Sequence, residues 1–291
     1  MSIRELLGAG PSVESGRALV SWTQELRGRI LRGDMMFGIL SADEVALAPT
    51  ALRRASDFGM KEALLDLGNW HAMPPIGEPD LVGARAVFRE AIAAEVKGAK
   101  LRFVEFVWFY CRETATAEEQ TEVHQMAQEL SERDDDGHAT YLSGLLTCNG
   151  FGTQADPKRA HELHLAATSK GNIDALFELS LYREMGIGVP RDSKVAMEFL
   201  QLAATLGHSR AMYNLAAYLA TGRVVPQDLA KAAEWYSKAS DGGNVRATAN
   251  LAMMYARGEG VPQDLDQARL LFDEADYMGL DVSDARASVG L

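Results

Sequence analysis

The second half of the chain carries apolar residues at helical spacing. Ala232, Trp235, Tyr236 and Ala239 fall at i, i+3, i+4 and i+7, and the stripe returns as Ala196, Phe199, Leu200, Ala203 and as Ala268, Leu271, Phe272, Ala275. Alternating small and bulky side chains let two helix axes approach while the large pair fills the gap to a neighbour. A first helix precedes each stripe. In the clearest unit Leu251, Met254 and Tyr255 keep helical spacing until Gly258-Glu259-Gly260-Val261-Pro262-Gln263-Asp264 interrupts it. Gly258 suits a left-handed residue closing that helix, Pro262 cannot prolong it, and Asp264 can accept from the free N–H groups opening the next.

These signals recur at a fixed interval. Gly150, Gly186, Gly222 and Gly258 stand 36 residues apart, as do Asp156, Asp192, Asp228, Asp264 and the helix-ending Gly171, Gly207, Gly243, Gly279. Such a period marks stacked helical hairpins, each too small to bury its own apolar face. Ala211, Leu215, Gly222, Val225-Pro226-Gln227-Asp228, Lys231-Ala232-Ala233-Glu234-Trp235-Tyr236, Ala239 and Gly243-Asn244 together resemble the Sel-1-like repeat, a relative of the tetratricopeptide repeat. The resemblance covers four units over 139–282. Upstream, Gly59, Ala63, Leu67, Pro79, Asp80, Ala84 and Ala91 keep the register for one more unit, 99–138 lacks the glycine turn, and 17–58 reads as a degenerate helix pair. The resemblance implies an all-α fold, a right-handed α/α superhelical solenoid of about six hairpins. Its expected parts are an N-terminal helical cap (1–62), divergent repeats (63–138), and regular repeats with a capping helix near Ala285 to Leu291 (139–291), all in one continuous solenoid.

Net charge is -12, with 7 Lys+Arg against 15 Asp+Glu over 63–138 and 14 against 18 over 139–291. That balance disfavours nucleic acid, whose binding needs a basic face, and favours a basic protein partner or simply a solvated acidic surface. Cys111 and Cys148 have no neighbour at metal or redox spacing and are expected to be free thiols. With no secretory or membrane-anchoring pattern at Met1–Gly8, a cytoplasmic protein is expected, without a membrane role.

Few residues suggest chemistry. The Gly-x-Gly pairs lack the preceding strand of a phosphate loop, and the following proline removes a donor. His161 and His164, at i and i+3, could offer two imidazoles to a metal. His164, however, shares the register of Leu200, Tyr236 and Phe272, which points to a packing role. Asp134-Asp135-Asp136-Gly137 lacks the spacing of a calcium loop and reads as an exposed turn. No Gly-x-Ser-x-Gly elbow occurs. Some extracellular relatives of the repeat family carry a cysteine pair per unit and are linked to β-lactam binding; two cysteines in the whole chain do not fit that group. No cofactor, metal or catalytic residue is assigned.

The resemblance implies that first helices line a concave groove. Positions expected to face it are His138 and Tyr141; Asp174, Phe177 and Glu178; Arg210, Tyr213 and Asn214; Arg246 and Asn250. Arg and Tyr make strong contacts and Asn can pair with peptide groups, so the ladder suits an extended peptide or a partner helix; the alternative is that the aromatics only pack between units. The run Phe103–Tyr110 reads as buried core, and Met35–Leu40 as an apolar cap. The leading function is a non-catalytic adaptor binding a protein or peptide in that groove. An immunity or inhibitor protein neutralising an effector is the second reading, and a hydrolase or metal enzyme using His161 and His164 the third. Oligomeric state is not legible.

Overall fold

A computed structural model of the protein describes residues 3–31 and 41–291; the Met35–Leu40 segment lies outside them. Among the described residues all regular elements are helical. In chain order they are α1 (Ile3–Gly8), α2 (Val13–Leu31), α3 (Ala42–Val45), α4 (Ala48–Asp57), α5 (Ala63–Ala72), α6 (Leu81–Ala93), α7 (Ala99–Phe106) and α8 (Ala117–Ser131). There follow α9 (His138–Asn149), α10 (Pro157–Ser169), α11 (Ile173–Met185), α12 (Ser193–Thr205), α13 (Ser209–Thr221), α14 (Leu229–Asp241), α15 (Val245–Arg257), α16 (Leu265–Tyr277) and α17 (Ser283–Ser288). No helix among the described residues is long and apolar enough to cross a membrane. Two compact units form: residues up to 130 with 151–153, and 131–150 with 154–291.

In the first unit α2, α4, α5, α6 and α7 pack successively around Leu19, Leu52, Leu64, Leu67 and Val87. Gly68 lies under the Phe88 ring, where any side chain would collide. Ion pairs link α4 to α6 and α6 to α8: Arg53 to Glu90 at 2.6 Å and Arg89 to Glu122 at 2.8 Å. The Phe103–Tyr110 run departs from the expected buried core. Phe103, Val104, Phe106, Val107 and Trp108 are buried, but Phe109 and Tyr110 are 55% and 41% exposed. The cause is a wide π-helical turn over Val107–Cys111, which rotates these two rings outward and brings Cys111 inside.

The second unit is built from the hairpins α9/α10, α11/α12, α13/α14 and α15/α16, each packed on the next. Gly150, Gly186, Gly222 and Gly258 close the first helices at φ +67° to +74°, a conformation that favours glycine. The turn aspartates cap the second helices: Asp156 accepts from the Arg159 N–H, Asp192 from those of Lys194 and Val195, Asp228 from that of Lys231, and Asp264 from those of Asp266 and Gln267. Ala196, Leu200, Ala203, their counterparts Ala232, Tyr236, Ala239 and Ala268, Phe272, Ala275, are buried, so the stripe is the core of each hairpin. In α17, Ala285 packs on the core of the last hairpin. The Asp134 turn differs from an exposed loop in one respect. Its carboxylate is buried, accepts from the Thr140 N–H at 2.8 Å and hydroxyl at 2.7 Å, and has Lys170 Nζ 3.9 Å away.

Candidate partner-binding face

The 36-residue interval sets His138, Asp174, Arg210 and Arg246 in one column on the first helices, and Tyr141, Phe177 and Tyr213 in the next. On α11, Asp174 and Glu178 are one turn apart with Phe177 between them. The following helix supplies the rest. His208 is the residue capping α13: its Nδ1 accepts the Ala211 N–H at 3.0 Å, which leaves Nε2–H to donate to Asp174 Oδ1 at 3.3 Å. The imidazole stacks on the Phe177 ring with centroids 4.6 Å apart, and the Arg210 guanidinium lies 4.7 Å from the same ring.

Charge is distributed unevenly in this cluster. The His208 hydrogen bond, aided by the charges of His138 and Arg210, holds the Asp174 carboxyl below its ordinary value. Burial pushes Glu178 up, against the opposing pull of Arg210 and His208. Tyr141 is raised by burial and by the nearby Glu178 and Asp174. Glu178 is therefore a carboxylate whose lost hydration the surrounding protein repays incompletely.

His138, Tyr141, Asp174, Phe177, Glu178 and Arg210 thus share one electrostatic neighbourhood. Phe177 and Tyr141 are buried and form its floor. The remaining candidates lie apart from it. Tyr213 meets Tyr236 at 5.7 Å, Asn250 hydrogen-bonds Tyr236, and Asn214 lines a cavity of about 30 Å³ with Ser180, Glu184 and Tyr218. Arg246 is exposed on α15 and makes no ion pair among the described residues. His208 was not anticipated from the sequence, although it stands in the column of the capping residues Asn172 and Asn244. A histidine in an asparagine column was the available signal.

His161 and His164 belong to a buried cluster that meets this neighbourhood at Tyr141, whose ring lies 5.6 Å from that of His164. His164 has no solvent exposure; Nε2 lies 3.2 Å from the Tyr141 carbonyl oxygen, and Nδ1 is buried without a hydrogen-bond partner. Gly144 leaves room for the ring, and Tyr182 lies 5.4 Å away with the Cys148 thiol beside its hydroxyl. Burial pulls His164 down to about 4 and lowers His161 as well. Among the described residues no group of three or more His, Cys, Asp or Glu side chains is arranged to hold a metal.

The Sel1 repeat model matches residues 137–172, 173–208, 209–244 and 245–275, one match per hairpin of the second unit. The chain is a Sel1-repeat protein. Its fold is similar to that of a Sel1 repeat protein from Oxalobacter formigenes, with TM-score 0.60 and 24% identity over 81% of this chain and 99% of that one. It is also similar to c5321, a protective antigen of uropathogenic Escherichia coli with an SLR fold (TM-score 0.54, 23% identity, 80% of this chain), and spans about half, 49%, of that protein's length. The immunity protein Pa5087 from Pseudomonas aeruginosa shares the fold at TM-score 0.54 and 16% identity, over 75% of this chain and 82% of that one. Among curated proteins, none matches the sequence. Sel1 repeats form a scaffold that typically mediates contacts between proteins, which agrees with a site made of stacked rings and opposed charges.

Proposed function

We propose that this Sel1-repeat protein is a non-catalytic cytoplasmic adaptor that holds a protein or peptide partner in a groove formed by the first helices of its repeats. The observation that carries the reading is the Asp174–His208–Phe177–Arg210 cluster, with Glu178 half-buried beside it. Opposed charges over an aromatic floor are the ingredients of a contact hot spot. A lysine or arginine of the partner would restore the interaction energy that Glu178 loses by burial, so the preferred partner is basic at this point. Arg246, on the next first helix, extends the same column for an acidic group or a peptide carbonyl. Affinity purification from the native organism supplies the partner. Arg246→Glu combined with Glu178→Gln leaves the Arg210–Phe177 contact in place and should then abolish its capture without lowering the melting temperature; full capture by the double variant overturns the groove.

A second reading is an immunity protein that neutralises an effector. It is motivated by the neighbours Pa5087 and PA5088, both named immunity proteins, and by the acidic composition. Co-expression with the captured partner decides between the readings. Rescue of growth from a toxic partner supports immunity, and a harmless partner supports the adaptor.

A further inference from the structure

The four Sel1 units serve as internal controls for one another, and the outer side of α16 breaks their pattern. At the place of Leu270 the sister units carry Glu162, Glu198 and Glu234; at the place of Tyr277 they carry Ser169, Thr205 and Asp241. Leu270 and Tyr277 are 63% and 70% exposed, the most exposed large apolar side chains of the second unit. They stand seven residues apart, opposite the buried Ala268, Leu271, Phe272 and Ala275, and so form a stripe two turns long. The charge of the face changes as well. Asp266 replaces Lys158 and Lys194 of the sister units, and α16 holds Asp266, Asp273, Glu274 and Asp276 against a single base, Arg269. Asp266 is paired with Arg269 and Asp273 with Arg286, while Glu274, between the two apolar residues, is exposed and has no ion pair among the described residues.

We infer that this outer face of α16 is a second docking surface, separate from the groove, for a basic amphipathic helix. The partner helix carries apolar side chains seven residues apart to meet Leu270 and Tyr277, with lysine or arginine between them for Glu274. Charge selects this occupant over a second copy. Two α16 helices paired antiparallel through Leu270 and Tyr277 would bring Asp273 and Glu274 of each chain against those of the other, a like-charge contact that disfavours self-pairing. Neither apolar residue contributes to the hairpin core, so the unit does not need them for folding.

The test uses the full chain and a fluorescent amphipathic helical peptide with leucines on one face and lysines on the other, read by anisotropy. A glutamate counterpart of the peptide is the control. The protein should bind the lysine peptide and not the glutamate one. Leu270→Glu with Tyr277→Thr installs residues that the sister units already carry, so the fold is retained. This double variant should bind about tenfold more weakly, although it adds a negative charge. Equal or tighter binding would mean diffuse attraction to an acidic protein and would overturn the proposal, as would failure of the unaltered protein to bind. Glu274→Gln should weaken binding and flatten its salt dependence. Self-association in sedimentation that the double variant abolishes would assign the face to a second copy and overturn the basic partner.

Discussion

His164 fills a position that the later units give to Leu200, Tyr236 and Phe272, and it is the only one of the four that can take up a proton. Its folded value of about 4 lies below the ordinary 6.5 because the ring is buried against Tyr141, Tyr182 and His161. Above pH 6.5 neither folded nor unfolded chain binds that proton, and the group leaves stability unchanged. As pH falls from 6.5 towards 4 the unfolded state takes up a proton that the folded state refuses, so stability declines, by at most about 3 kcal/mol, and then levels off. His161, lowered first by burial and then by Arg183, acts with the same sign. Replacing His164 with Leu, the residue of the next unit, should reduce the difference between urea unfolding free energies at pH 7.5 and pH 4.5, leaving the part contributed by His161 and by His124, which burial also lowers. A variant with the same acid sensitivity as the unaltered protein would show that His164 is not its source. The Tyr141 carbonyl keeps its place in the α9 hydrogen-bond ladder, so the substitution isolates the titration from the backbone.

The repeated turn combines two kinds of glycine. The first, as at Gly186, closes a helix and is required by the local backbone. The second has a tertiary cause: Gly188, at φ +68°, is so close to the Pro157 backbone that a Cβ would overlap it, and Gly260 meets Leu229 in the same way. In the third unit Val224 takes the second glycine's place, beside the small cavity it shares with Ser193 and Asn214. Gly188→Ala should therefore cost about 2 kcal/mol or more, since it adds a strained φ to a backbone clash. Removing the cap at Asp192 by alanine should cost about 1 kcal/mol. Denaturant midpoints of the two variants give the comparison, and a smaller loss for Gly188 would remove the inter-unit contact as its reason. This difference also explains what the sequence made legible. Helix ends, caps and the apolar stripe depend on near neighbours and could be placed by spacing alone. The role of Gly188, the outward turn of Phe109 and Tyr110, and the meeting of Asp174 with His208 depend on residues brought together by packing. The common column of His138, Asp174, Arg210 and Arg246 followed from the period, but the direction of Asn250 towards Tyr236 did not, because helical spacing gives a face and not a hydrogen-bond partner.

At the scale of the molecule, interchangeable units imply that one can be removed. Deleting residues 209–244 joins His208 directly to Val245, and the 36-residue interval then puts Ala247 where Ala211 stood and Arg246 where Arg210 stood. His208 would cap α15 as it now caps α13, keeping Asp174 as acceptor and Phe177 as stacking partner, while Arg246 would take the guanidinium's place over the Phe177 ring. Because each hairpin contacts only its neighbours, the shortened chain should fold with unchanged helical ellipticity per residue. Its urea m-value should fall by about one eighth, in proportion to the surface removed. A shortened chain that aggregates or loses ellipticity would mean that the third unit carries contacts its sisters cannot supply. The binding result separates two ways in which the groove could work. If partner capture rests on the cluster around Phe177, the deletion should keep it, since every side chain of that cluster is retained or replaced in register. If capture needs the full column from His138 to Arg246, losing one step should reduce affinity while the fold survives.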